Sequence, residues 1–169
     1  MSELDRAASA VGADLEAIFD ALLVDVFKDA HALAGDGLNW MPAGTDNNAF
    51  TLAYHLLGSA DYWIGEVVGG RPTGRVRAEE FNREGTLEEL EARLRDVSAS
   101  LRETLVTLPG TALLPAPIDL GRGLLSWGVV PPEGRSAVWV VVHDLCHIAY
   151  HLGQLDVIRG MWEERTVST

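Results

Sequence analysis

Apolar residues recur at intervals of three and four in four separate stretches of this chain, and no other feature constrains its fold as much. That spacing is the period of an amphipathic helix. The first predicted helix runs from about Glu3 to His31, with Leu15, Ile18, Phe19, Leu22, Leu23, Val26 and Phe27 as one stripe. Gly35 and Gly37 end it. The second covers about 48–68 behind an N-cap at Asp46 or Asn47. Leu52, His55, Leu56, Ser59, Tyr62, Trp63 and Glu66 fall on its adjoining rows, and Gly69, Gly70 and Pro72 stop it. The segment 71–85 is polar and reads as irregular, with a short turn near Glu79–Asn82. The third helix opens on Thr86-Leu-Glu-Glu89, a capping box, and reaches about Leu108. Ser136 caps the last, about 137–163, and the final residues TVST read as frayed.

Four helices with few strand signals predict an all-α fold, a four-helix bundle. Residues 109–135 hold five of the seven prolines, with a short extended piece predicted around Leu124–Val130. This long Pro/Gly-rich connection excludes a tight turn between helices three and four and is long enough to cross the end of a bundle. No internal repeat or compositional break divides the chain, so residues 1–169 read as a single domain.

Apolar residues make up 47%, enough for one core, and the formal net charge is −12. A surface so acidic repels nucleic-acid backbones and anionic membranes. The longest apolar run, AVWVVV at 137–142, is far too short to span a bilayer, and the N-terminal stretch does not read as a signal peptide. One cysteine, Cys146, cannot make an intramolecular disulfide, which suits a reducing cytoplasm. It reads as a small core residue. Trp40, Trp139 and Trp162 read as packing residues, and Trp127, in the long connection, as a candidate for a cavity mouth.

The last helix carries His143, His147 and His151 in the run HDLCHIAYHLGQL. Residues four apart sit one turn apart on a slanting row, so neighbouring imidazoles can share a cation. The outer pair is about 12 Å apart by helix rise, so only two of the three can do so. His55, on the second helix, offers a further imidazole. The opposing reading is of histidines that hydrogen-bond locally.

Two motifs then resemble the DinB-like (DinB/YfiT) superfamily. HDLCHIAYHLGQL is similar to its last-helix signature, His-x-x-x-His-x-x-x-His-Arg-Gly-Gln. Leu38, Trp40, Pro42, His55, Tyr62 and Trp63 resemble its Leu-x-Trp-x-Pro turn and the helix that follows. The resemblance implies a divalent metal, zinc or nickel, held by His55, His147 and His151. His143 would then hydrogen-bond from outside the ligand set or face the substrate cavity. The resemblance also implies a metal-dependent transferase using a low-molecular-weight thiol such as mycothiol, bacillithiol or glutathione, and a homodimer. The alternatives are a metal-dependent hydrolase and a non-catalytic metal-binding or stress-linked ligand-binding module. Tyr62 is a candidate donor to a developing oxyanion or a rim tyrosine. Asp144 could orient an imidazole or be an exposed helix charge, and Gln154 could bond within the site or across helices. Leu152 departs from the family pattern, standing where an arginine is usual. Either the substrate differs or the position simply packs.

Overall fold

The computed structural model of the chain describes residues 1–81, 83–116 and 134–167. Four helices build it: α1 (Glu3–Ala32), α2 (Ala49–Ala60), α3 (Leu87–Val106) and α4 (Ala137–Val167). The second runs on without a break into a π-helical segment, Asp61–Val68. Short 3-10 turns cover Gly35–Gly37, Arg77–Glu80 and Gly110–Leu113. The predicted turn near Glu79–Asn82 therefore forms slightly earlier. The predicted extended piece and Trp127 lie outside the described residues.

Each helix start is capped by a side-chain oxygen that takes up one of the free N–H groups of the first turn. Ser2 and Asp5 form a reciprocal capping box on α1. Thr86 accepts from the Glu89 N–H at 3.3 Å and Ser136 from that of Trp139 at 3.1 Å. On α2 the cap is Asn48, not Asp46 or Asn47, accepting from Thr51 N–H at 2.7 Å. Asn48 wins because it is buried and its amide also donates to the Arg83 carbonyl at 3.0 Å. At the other end of the chain Thr166 and Val167, read as frayed, are still helical.

Helices α1 and α2 each pack against both α3 and α4, which places α3 across the bundle from α4. Phe19, Leu23, Leu56, Leu57, Leu90, Leu101, Ile148 and Leu155 form the shared core. Each such side chain contributes about 1.5–3 kcal/mol on burial. Ile18, expected in the first stripe, sits on its edge and is half exposed. A separate cluster joins Trp63 of the π-helical segment to Val140 of α4, flanked by Tyr62 and Trp139. Trp40 packs against Trp162, 5.5 Å between centroids.

Arg159 fastens α4 to α1, donating to Asp29 at 2.8 Å and to Glu163 at 2.8 Å and contacting Asp156. Leu152 lies close by. It packs on the main core and lines a groove with Asp25, Lys28, Asp29 and Asp156. One helical step of about 100° separates it from His151, so it serves the packing of α1 on α4.

Candidate metal centre

Three of the five histidines converge between α2 and α4. His55 Nε2 lies 3.3 Å from His147 Nε2, and His151 Nε2 lies 3.1 Å from the same atom. One nitrogen from each ring falls within 4.8 Å of the others, an arrangement that could hold a metal ion. His55 is buried; His147 and His151 are partly exposed, so the set opens on the α4 side.

What surrounds the rings fixes their protons. His55 Nδ1 faces Glu80 Oε2 at 2.7 Å, and His151 Nδ1 faces Gln154 Oε1 at 2.5 Å. A carboxylate and an amide oxygen only accept, so both Nδ1 atoms carry the hydrogen and both Nε2 atoms present lone pairs. These two lone pairs point at His147 Nε2, which can offer at most one hydrogen. At least one pair of nitrogens therefore meets lone pair to lone pair. Protonating a ring is the costly remedy. Burial pushes His147 down to about 3, helped by the neighbouring His151 and His55 rings, and burial also holds His151 and His143 below the ordinary histidine value. A cation removes the conflict. Four-coordinate zinc with nitrogen bonds of 2.0–2.1 Å sets its ligands about 3.3 Å apart, close to the two separations here.

Glu80 was not legible as part of this site. It sits on the 3-10 turn of the 71–85 segment, is 3% exposed, and is gripped by Arg75 through Nε at 2.6 Å and Nη2 at 2.8 Å. Burial works to raise its pKa. The bonds from Arg75 and His55 outweigh that and hold it below the ordinary glutamate value. Gly58 on α2 makes room for it: a Cβ there would stand 2.3 Å from Glu80 Oε1. The only hint in the sequence is an arginine five residues before a glutamate that adjoins Phe81, whose ring packs 5.0 Å from that of His55.

The other sequence candidates fall in different places. His143 is outside the convergence, its ring stacked on Trp139 at 5.5 Å and edge-on to Trp63 at 5.7 Å. Tyr62 lies against Trp63 with Arg75 over its ring at 5.6 Å. Asp144 is not an exposed helix charge: it is wholly buried and accepts a 2.7 Å hydrogen bond from Ser59. Burial pushes its carboxyl up to about 7, against the Ser59 bond and the charge of Arg75. Its Oδ1 stands 3.9 Å from His147 Nδ1, beyond hydrogen-bond reach. Asp144 Oδ2 and His147 Nδ1 are both buried without a partner among the described residues. Cys146, expected in the core, is exposed. Its neighbours Leu145 and Ile148 turn inward, and position 146 points about 100° away from the first and about 160° from the second, onto the outer face. His31 pairs with Glu91 at 3.2 Å and is not one of the converging histidines.

Among the described residues no helix is long and apolar enough to cross a membrane. Searches of curated proteins and of solved structures find no significant match. The family model of the DinB superfamily matches residues 19–155, a span that includes all three converging histidines, and the chain belongs to that superfamily.

Proposed function

We propose that this protein is a divalent-metal-dependent enzyme of thiol S-transferase type, with His55, His147 and His151 holding zinc or nickel and a low-molecular-weight thiol as cosubstrate. The observation that carries the reading is the meeting of at least two Nε2 lone pairs with no proton between them. When bound, a divalent cation draws the pKa of a coordinated thiol or water toward neutrality.

The chain's own residues prepare for that chemistry. Glu80 and Gln154 fix two ring orientations from behind by taking their Nδ1 hydrogens. Arg75 immobilises Glu80 and offsets its charge, so the ligand set remains three neutral nitrogens. Such a set leaves coordination positions for a small molecule on the exposed side, toward His147 and His151. Cys146 takes no part in the convergence, so the nucleophilic sulfur must arrive with a cosubstrate. The family resemblance of the two histidine motifs supports the thiol over other nucleophiles.

The test is elemental analysis of protein purified without a His tag, followed by turnover of a generic electrophile with a panel of small thiols. About one metal per chain and metal-dependent turnover with at least one thiol are expected. Less than about 0.2 metal per chain after zinc or nickel is supplied refutes the metal site. Stoichiometric metal without turnover across the panel refutes the thiol transferase and favours a non-catalytic binding module, with a metal-dependent hydrolase the other alternative.

A further inference from the structure

Residues 71–83 carry Arg71, Arg75, Arg77 and Arg83 in a chain whose formal net charge is −12. Three of the four are engaged by acids. Arg71 pairs with Asp61, Arg75 with Glu80, and Arg83 with Glu89 at 3.3 Å. Arg77 makes no ion pair among the described residues. It is exposed, and its guanidinium carbon lies 4.9 Å from the Phe81 ring centroid. The Phe81 ring in turn packs against His55. The positive charge of Arg77 also bears on His151, disfavouring its protonation. A solvent-facing guanidinium thus stands at the rim of the converging histidines, with an aromatic ring beneath it and its donor edges open.

The charge of the surroundings gives this cation a use. Three neutral imidazoles do not offset a dication. Glu80, the carboxylate in contact with the ligand set, is already balanced by Arg75. Asp144 is sealed behind His147, and burial opposes its charge. The exposed acid nearest in sequence, Glu79, forms no ion pair with Arg77. In a chain of net charge −12, this rim presents an exposed guanidinium with no ion pair among the described residues. Guanidinium is also the group whose planar fork matches a carboxylate.

We propose that Arg77 anchors a carboxylate of the thiol cosubstrate, so that the site selects a thiol carrying a carboxylate a few bonds from its sulfur. The inference rests on the thiol reading above and adds the substrate class and the residue that recognises it.

The test uses the full chain loaded with cobalt(II), in which thiolate ligation gives a charge-transfer absorption. It is titrated with 3-mercaptopropionate and with 2-mercaptoethanol, which differ in carrying a carboxylate or a hydroxyl. The expected result is a preference for 3-mercaptopropionate of roughly tenfold, the scale of one charge-assisted hydrogen bond. The preference should vanish in Arg77→Gln and partly survive in Arg77→Lys, with cobalt content unchanged in both. Equal affinities in the wild type, or a preference that persists in Arg77→Gln, overturn the carboxylate anchor alone. No cobalt uptake, or cobalt bound with no thiolate band for either thiol, overturns the metal or thiol reading and the anchor with it.

Discussion

Substituting Gly58 by alanine tests whether Glu80 positions His55, without touching either residue. The new Cβ would stand 2.3 Å from Glu80 Oε1 and 3.1 Å from Arg93 Nη2. Ordinary contact begins at 3.4 Å, so the carboxylate must retreat by about 1 Å. It has no slack for that. Oε1 is held by Arg75 Nε at 2.6 Å, and Oε2 by Arg75 Nη2 at 2.8 Å and His55 Nδ1 at 2.7 Å. At least one of these charged bonds must lengthen out of range, at a cost of about 1.5–3 kcal/mol. Alanine gains about 1 kcal/mol over glycine in a helix interior, which offsets part of this. Net stability should therefore fall by only about 0.5–2 kcal/mol. Metal affinity should fall about 10- to 100-fold, the range for loss of a carboxylate behind a ligating imidazole. Competition for zinc with a chromophoric chelator measures the second, and urea unfolding of the metal-free protein the first. A Gly58→Ala protein that folds and binds zinc within twofold of the wild type would refute the positioning role of Glu80.

His147→Ala should lower zinc affinity by more than the about 100-fold typical of outer hydrogen-bond partners, whereas His143→Ala should retain stoichiometric metal; the reverse pattern in elemental analysis would move the ligand set one turn along α4. Acid should destabilise the metal-free protein. Below the ordinary histidine value of 6.5 the unfolded chain binds protons that His147, held at about 3, and the depressed His143 and His151 refuse, so stability is lost as pH falls through this window. Asp144 has the opposite sign: its folded value of about 7 against 3.8 unfolded contributes stability at low pH that is lost as pH rises through that interval. Asp144→Asn should therefore steepen the fall in Tm between pH 7 and 5 in thermal melts, and an unchanged slope would contradict the buried, proton-holding carboxyl. Leu152→Arg places a guanidinium in a groove lined by Asp25, Asp29 and Asp156. Urea unfolding should shift by less than about 1 kcal/mol, the scale of exposed ion pairs, with metal content intact; loss of metal would instead tie this position to the site.

The helices were readable because their signal is local. Leu90, Leu101 and Leu105 repeat within one segment and become one buried face of α3. The histidines at 143, 147 and 151 were readable for the same reason, and the superfamily motifs singled out the two that meet His55. Glu80 was not, because its partner is 25 residues away and nothing periodic marks the 71–85 stretch. Asp144 was left open between an imidazole partner and a surface charge because the residue that satisfies it, Ser59, is 85 positions distant. Cys146 was misjudged from its apolar neighbours, since on a helix neighbours in sequence point in different directions. Leu152 is the converse case. The sequence left its role open between substrate and packing, and the groove beside Arg159 supports packing.

The π-helical turn after Ala60 has a consequence for how this bundle tolerates change. Wider turns delay the rotation of side chains along the axis, so two halves of one continuous rod address α4 in different phases. The first half turns His55 toward His147; the second turns Trp63 toward Val140 and His143. Deleting a single residue between 61 and 68 would let the rod relax to ordinary α-helix. His55 would keep its heading while Trp63 and Tyr62 swung away from theirs. The segment thus works as a vernier between the ligand end of the helix and its aromatic end.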